Sequence, residues 1–61
     1  MDKYYIKNRN TGCYVVETDL GTFYKSDIKV ASKFTLNKAV KRINNMKHPE
    51  YWELIKIKEE K

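Results

Sequence analysis

Beyond Thr35 the apolar residues recur at helical spacing. Leu36, Ala39, Val40, Ile43 and Met46 form one stripe, and Lys38, Lys41, Arg42 and Asn45 fall on the opposite side. Thr35 suits an N-cap, because its hydroxyl can accept a free N–H of the first turn. Lys47 and His48 lie near the negative end of the dipole, and Pro49 forbids continuation. The pattern predicts a helix over 35–47.

Upstream the composition changes to that of strands. "KYYIK" (3–7), "CYVVET" (13–18) and "TFYK" (22–25) are rich in aromatic and β-branched residues. The turn-forming "NRNTG" (8–12) separates the first two. "DLG" (19–21) fits a three-residue hairpin loop in which Gly21 is free to take positive φ. "SDIKVASKF" (26–34) reads as one tight turn laying Ile28, Ala31 and Phe34 onto the sheet, with a continued strand as the rival. "YWELIKIK" (51–58) alternates, with Tyr51, Glu53, Ile55 and Ile57 on one face and Trp52, Leu54, Lys56 and Lys58 on the other. It closes the domain as a fourth strand, and "EEK" (59–61) is expected to fray.

The expected fold class is therefore α+β over a single domain, residues 1–61. Its element order is β-β-β-α-β, a four-stranded antiparallel sheet covered on one face by a single helix. One helix of about three turns shelters only one face of such a sheet. Ile6, Val15, Phe23, Ile55 and Ile57 are the expected partners of the helix stripe, with Phe34 as an anchor ahead of it. Tyr5, Tyr14, Val16, Tyr24, Trp52 and Leu54 then fall to the uncovered face, although the hairpin registers could exchange some of them.

Three readings of that face compete. Small open sheets often carry tyrosines outside, with rings along neighbouring strands and hydroxyls in water. A second reading is a partner surface, sheet-to-sheet homodimerisation included, because Tyr, Trp and Arg are the usual interface anchors. The candidate protein-binding residues are Trp52, Tyr5, Tyr14, Tyr24 and Leu54. The third is base stacking on a sheet platform, with Lys38, Lys41 and Arg42 of the helix as candidate nucleic-acid contacts.

Charge changes this picture little. Thirteen Lys and Arg against eight Asp and Glu leave a formal +5, split as +2 over residues 1–34 and +3 over residues 35–61. There is no basic arm, so the field can attract nucleic acid or an acidic protein surface, and it also aids solubility. Sixty-one residues lie near the lower limit for folding without metal or disulfide, and a deep enzyme cleft would consume scarce core.

Candidate chemistry is sparse. Cys13 is the only cysteine and His48 the only histidine, which makes neither a disulfide nor a zinc site. Cys13 after Gly12 reads as a small strand residue, His48 as a helix-terminal residue in solvent, and Asp19 and Asp27 have no carboxylate partners at a diagnostic spacing. The expectation is a chain with no catalytic residues, cofactor or metal. No apolar run approaches a membrane span, and "MDKYYIKNRN" lacks the apolar stretch of a signal peptide, so a cytoplasmic setting is expected.

The order of these features resembles small accessory proteins of phages that infect low-GC Gram-positive bacteria. The resemblance rests on the opening "YYIKN", on "KVASKFTLNKAVKRI" (29–43) and on the closing "WELIKIK". Within it the pattern Ala-x-x-Phe, a capping Thr or Ser, then Ala in an amphipathic helix corresponds to Ala31, Phe34, Thr35 and Ala39. That signature concerns packing and carries no chemistry. It implies a non-enzymatic binder, made in an infected bacterial cytoplasm, that occludes a host or defence protein.

Overall fold

The computed structural model of the chain describes residues 2–58. Four strands and one α-helix follow the expected order: β1 (Tyr4–Asn8), β2 (Tyr14–Thr18), β3 (Gly21–Lys25), α1 (Leu36–Asn44) and β4 (Trp52–Lys56). All pairings are antiparallel, and the sheet order is β3-β2-β1-β4. The fold class is thus α+β, with the β-β-β-α-β order that the patterning predicts. The expected fraying of Glu59–Lys61 lies outside the described residues.

The turn between β1 and β2 is built by Asn8. Its Oδ1 accepts from the N–H groups of Asn10 (2.8 Å) and Thr11 (3.0 Å). Gly12 closes the turn at φ 76°, a conformation that L side chains rarely adopt. The β2–β3 hairpin is one residue tighter than the "DLG" reading. Thr18 pairs with Gly21 across a two-residue loop of Asp19 and Leu20, and Gly21 takes φ 135°.

That one residue has a large effect, because side-chain direction alternates with period two. A three-residue loop would place Tyr24 on the face of Val16. The observed register pairs Val15 with Tyr24 and Val16 with Phe23, so both aromatic side chains change faces. The last strand also turns over. Asn8 pairs with Trp52 and Ile6 with Leu54, which puts Trp52 and Leu54 on the face of Ile6, beneath the helix. The expectation that Trp52, Leu54 and Tyr24 sit on the uncovered face is corrected. Phe23 and Ile55, expected under the helix, lie on the opposite face, and half-buried Ile57 lies just past β4. Tyr5, Tyr14 and Val16 are on the face away from the helix, as expected.

The buried core is small: Ile6, Val15, Phe34 and Ala39, with Ile43, Met46, Trp52 and Leu54 packed against it. Complete burial of an aliphatic side chain is worth about 1.5–3 kcal/mol, so Ile6 and Val15 at the sheet centre carry a large share. The helix begins at its expected cap, since Thr35 Oγ1 accepts from Lys38 N–H at 3.4 Å. It ends three residues short of the predicted 47. Asn44 and Asn45 are weak helix formers, and Asn45 N–H is shared between the carbonyls of Lys41 and Arg42, a tightened last turn. Leu36 and Val40, at the edge of the apolar stripe, remain exposed.

Residues 26–34 are part turn and part sheet. A 3-10 turn spans Ile28–Val30, capped by Asp27, whose Oδ1 accepts from Lys29 N–H at 2.9 Å. Ile28 is left exposed, and of the three residues expected on the sheet only Phe34 joins the core. The segment that follows enters the gap between β1 and β2, whose ladder is paired only at Lys7–Tyr14. Ser32 N–H donates to the Val15 carbonyl (3.1 Å), and Ser32 Oγ accepts from Glu17 N–H (2.7 Å). Phe34 and Tyr4 exchange two backbone hydrogen bonds of 2.9 and 2.7 Å. Residues 32–34 are therefore a short splice that satisfies backbone groups where two neighbouring strands part.

Candidate functional site

The molecule presents two candidate surfaces, one on each side of the sheet. On the side away from the helix, Tyr5 and Tyr14 pack edge to face with ring centroids 6.0 Å apart, and the Lys7 ammonium stands 5.9 Å from the Tyr14 ring. The register adds Val16, Phe23, Lys25, Glu53 and Ile55 to the same face. On β3 and in the segments flanking it, apolar groups stand in water. Phe23, Ile28 and Val30 are 42, 42 and 49% exposed, and Leu20 at the hairpin tip is 91% exposed.

On the helix side, a cleft of about 500 Å³ opens where the C-terminal end of α1 overhangs the sheet. Its walls come from five places in the chain: Asn8 of β1, Thr22 and Tyr24 of β3, Arg42 of α1, Asn45–His48 with Tyr51, and Trp52 of β4. The rings of Tyr24 and Trp52 meet here with centroids 5.6 Å apart and planes tilted by 41°. A second aromatic pair, His48 and Tyr51, has centroids 4.9 Å apart at 31°. Pro49 creates this second pair, because it starts the 3-10 turn Pro49–Tyr51 that brings His48 and Tyr51 together.

Arg42 connects this cleft to a shallower groove of about 360 Å³ on the other flank of the helix, lined by Glu17, Phe34, Lys38, Lys41 and Asn45. There Arg42 pairs with Glu17, whose Oε2 is closed off from water. The charge of Arg42 is thus already balanced. Lys38, Lys41 and Lys47 are exposed cations without an ion-pair partner among the described residues.

The structure therefore distributes the candidate residues across both surfaces. Tyr5 and Tyr14 share the face away from the helix. Tyr24 and Trp52 line the cleft, and Leu54 packs against the core. Lys38, Lys41 and Arg42 line the groove together. Phe23, Ile28, Val30 and Ile55 were not among the sequence candidates. The faces of Phe23 on β3 and of Ile55 on β4, at opposite edges of the sheet, depend on strand registers that sequence spacing leaves open. Among the described residues no cluster of His, Cys, Asp or Glu is suited to hold a metal ion, and no helix is long and apolar enough to cross a membrane. No family model, curated protein or solved structure matches the chain.

Proposed function

We propose that this chain is a non-enzymatic protein-binding module that works by covering the active surface of a partner. One observation carries the reading. Residues 18–30 contain no buried residue, yet they hold Leu20, Phe23, Ile28 and Val30 and include the whole of the edge strand β3. Apolar groups left in water along a strand edge mark surfaces that another chain covers. Tyr5, Tyr14 and Ile55 extend the patch across the sheet behind β3.

Charge selects the kind of partner. Two copies of a chain carrying +5 repel each other, and among the paired strand residues described Lys7 and Lys25 stand on this face with the Glu53 carboxylate. A different protein, apolar at the centre of its contact and acidic around it, complements this surface better than a second copy. The resemblance to phage accessory proteins supports a reading in which that partner is a host or defence protein.

The test is capture by immobilised chain from bacterial lysate, with the bound protein identified and its affinity then measured. Phe23→Asp combined with Val30→Asp should weaken that complex by at least about ten-fold, the scale of a lost interface anchor. Both side chains are exposed, so the fold should survive. Retention that the double substitution leaves unchanged would refute the reading.

A further inference from the structure

We propose that the cleft at the C-terminal end of α1 is a nucleotide-binding site, in which a base stacks on the Tyr24–Trp52 pair and its phosphate is held from the helix side. This site lies on the helix side of the sheet, across from Phe23 and the tyrosine face, and it shares strand β3 with the proposed protein-binding surface through Thr22 and Tyr24.

Shape, lining and charge agree on the ligand class. The volume of about 500 Å³ falls within the roughly 300–1,000 Å³ of small-ligand sites. Tyr24 and Trp52 meet at a tilt of 41° and do not stack face to face, and Tyr24 is 54% exposed, so ring surface is left for a planar guest. His48 and Tyr51 add a second aromatic wall. Every base has a π-face, so such walls accept bases with little regard to sequence. The side chains of Thr22 and Asn45, and the amide NH2 of Asn8 whose Oδ1 is held in the turn, supply neutral polar groups for base edges.

The charged residues of the lining are decisive. Among the described residues the cleft lining contains Arg42 and Lys47 and no carboxylate, and the two carboxylates that touch its walls, Glu17 on Arg42 and Glu50 at 3.5 Å from His48 Nδ1, are both paired. With Arg42 balanced by Glu17, Lys47 is the cation free to meet a phosphate, and Lys41 and Lys38 continue the positive track along the adjoining groove. An acidic peptide would use those cations but would leave the aromatic walls idle. A neutral aromatic ligand would do the reverse. A planar ring carrying phosphate uses both. A single-stranded nucleic acid and a free mononucleotide share that chemistry, and the track past Lys41 favours the strand.

Trp52 is the only tryptophan, so its fluorescence reports on the cleft directly. The intact chain is titrated at low salt with a short oligothymidylate and, separately, with thymidine monophosphate. Quenching by the oligothymidylate, weakened about five-fold or more by Tyr24→Leu and by Lys47→Glu, is the expected result. Quenching by both probes at equal strength assigns a free nucleotide, and quenching by the oligomer alone assigns a strand. Either result supports the site. No quenching at about 1 mM of either probe overturns it. Quenching that both substitutions leave unchanged overturns it as well.

Amide-shift mapping on the unsubstituted chain gives a second readout that no misfolded variant can confuse. Shifts confined to residues 22–24 and 45–52 support the cleft. Shifts centred on Tyr5, Tyr14 and Val16 place binding on the opposite face and overturn the assignment. Neither readout depends on whether a protein partner exists.

Discussion

Ser32→Ala tests the splice between β1 and β2. Ser32 Oγ is the acceptor for Glu17 N–H at 2.7 Å and also donates to the Glu17 carbonyl at 3.4 Å, in a part-buried position. Alanine removes both bonds and offers no replacement. An unsatisfied buried donor costs about 1–3 kcal/mol, and partial access to water places this one in the lower half, at about 1–2 kcal/mol. At roughly 0.05–0.15 kcal/mol per residue, a 61-residue chain holds only about 3–9 kcal/mol in total. The loss is therefore a substantial fraction of the fold's stability. One kcal/mol moves the melting temperature of a domain this small by about 4–8 °C, so a fall of about 4–16 °C is expected. Thermal melts followed by circular dichroism measure it, and hydrogen exchange at Glu17 localises it. Ser26→Ala, at an exposed serine, is the control and should change stability by less than about 0.5 kcal/mol. A fall below about 2 °C, or exchange at Glu17 no faster than before, would show that the splice does not hold the strands.

Trp52→Ala should cost about 2–3 kcal/mol in chemical denaturation, below the roughly 3–5 kcal/mol of a fully buried aromatic, whereas Phe23→Ala should stay within about 0.5 kcal/mol. Equal losses would mean that the register of β3 or β4 is wrong. Arg42→Met removes the partner of Glu17 Oε2. Its cost should lie between the roughly 1 kcal/mol of a surface pair and the 3–5 kcal/mol of breaking a buried one. Unchanged stability would show that this carboxylate finds water instead. Thr35→Ala should cost about 0.5–1 kcal/mol, the low end for an N-cap because its bond is 3.4 Å long, and a helix of unchanged stability would dismiss the cap.

Local signals in the sequence carried the elements well. Thr35 at the helix start, Pro49 after its end, the turn at 8–12 and the alternation within 51–58 each have a near-neighbour cause and each is present, although the last strand runs only from Trp52 to Lys56 and Tyr51 belongs to the 3-10 turn before it. The faces of β3 and β4 were not legible. Alternation in "TFYK" and "YWELIKIK" puts apolar residues on both sides, so only pairing decides which set is covered. That pairing depends on whether one hairpin loop has two or three residues, and on Asn8 meeting Trp52 across the sheet. The splice was hidden for a similar reason, because a serine bonding fifteen residues back leaves no periodicity. The cleft inherits both difficulties, since its aromatic walls meet only once those registers are set.

The sparse pairing between β1 and β2 has a mechanical consequence. The β2–β3 hairpin is fastened to its neighbour by one rung at the Lys7–Tyr14 end and by the lateral bonds of Ser32 further along. Val15 in the core and the Glu17–Arg42 pair hold β2 to the rest of the molecule, so the least protected part is β3 with its flanking loops, where residues 18–30 bury nothing. A docked protein bearing on β3 would clamp that part in place, so a bound complex should resist proteases at sites within residues 18–30 that the free chain exposes.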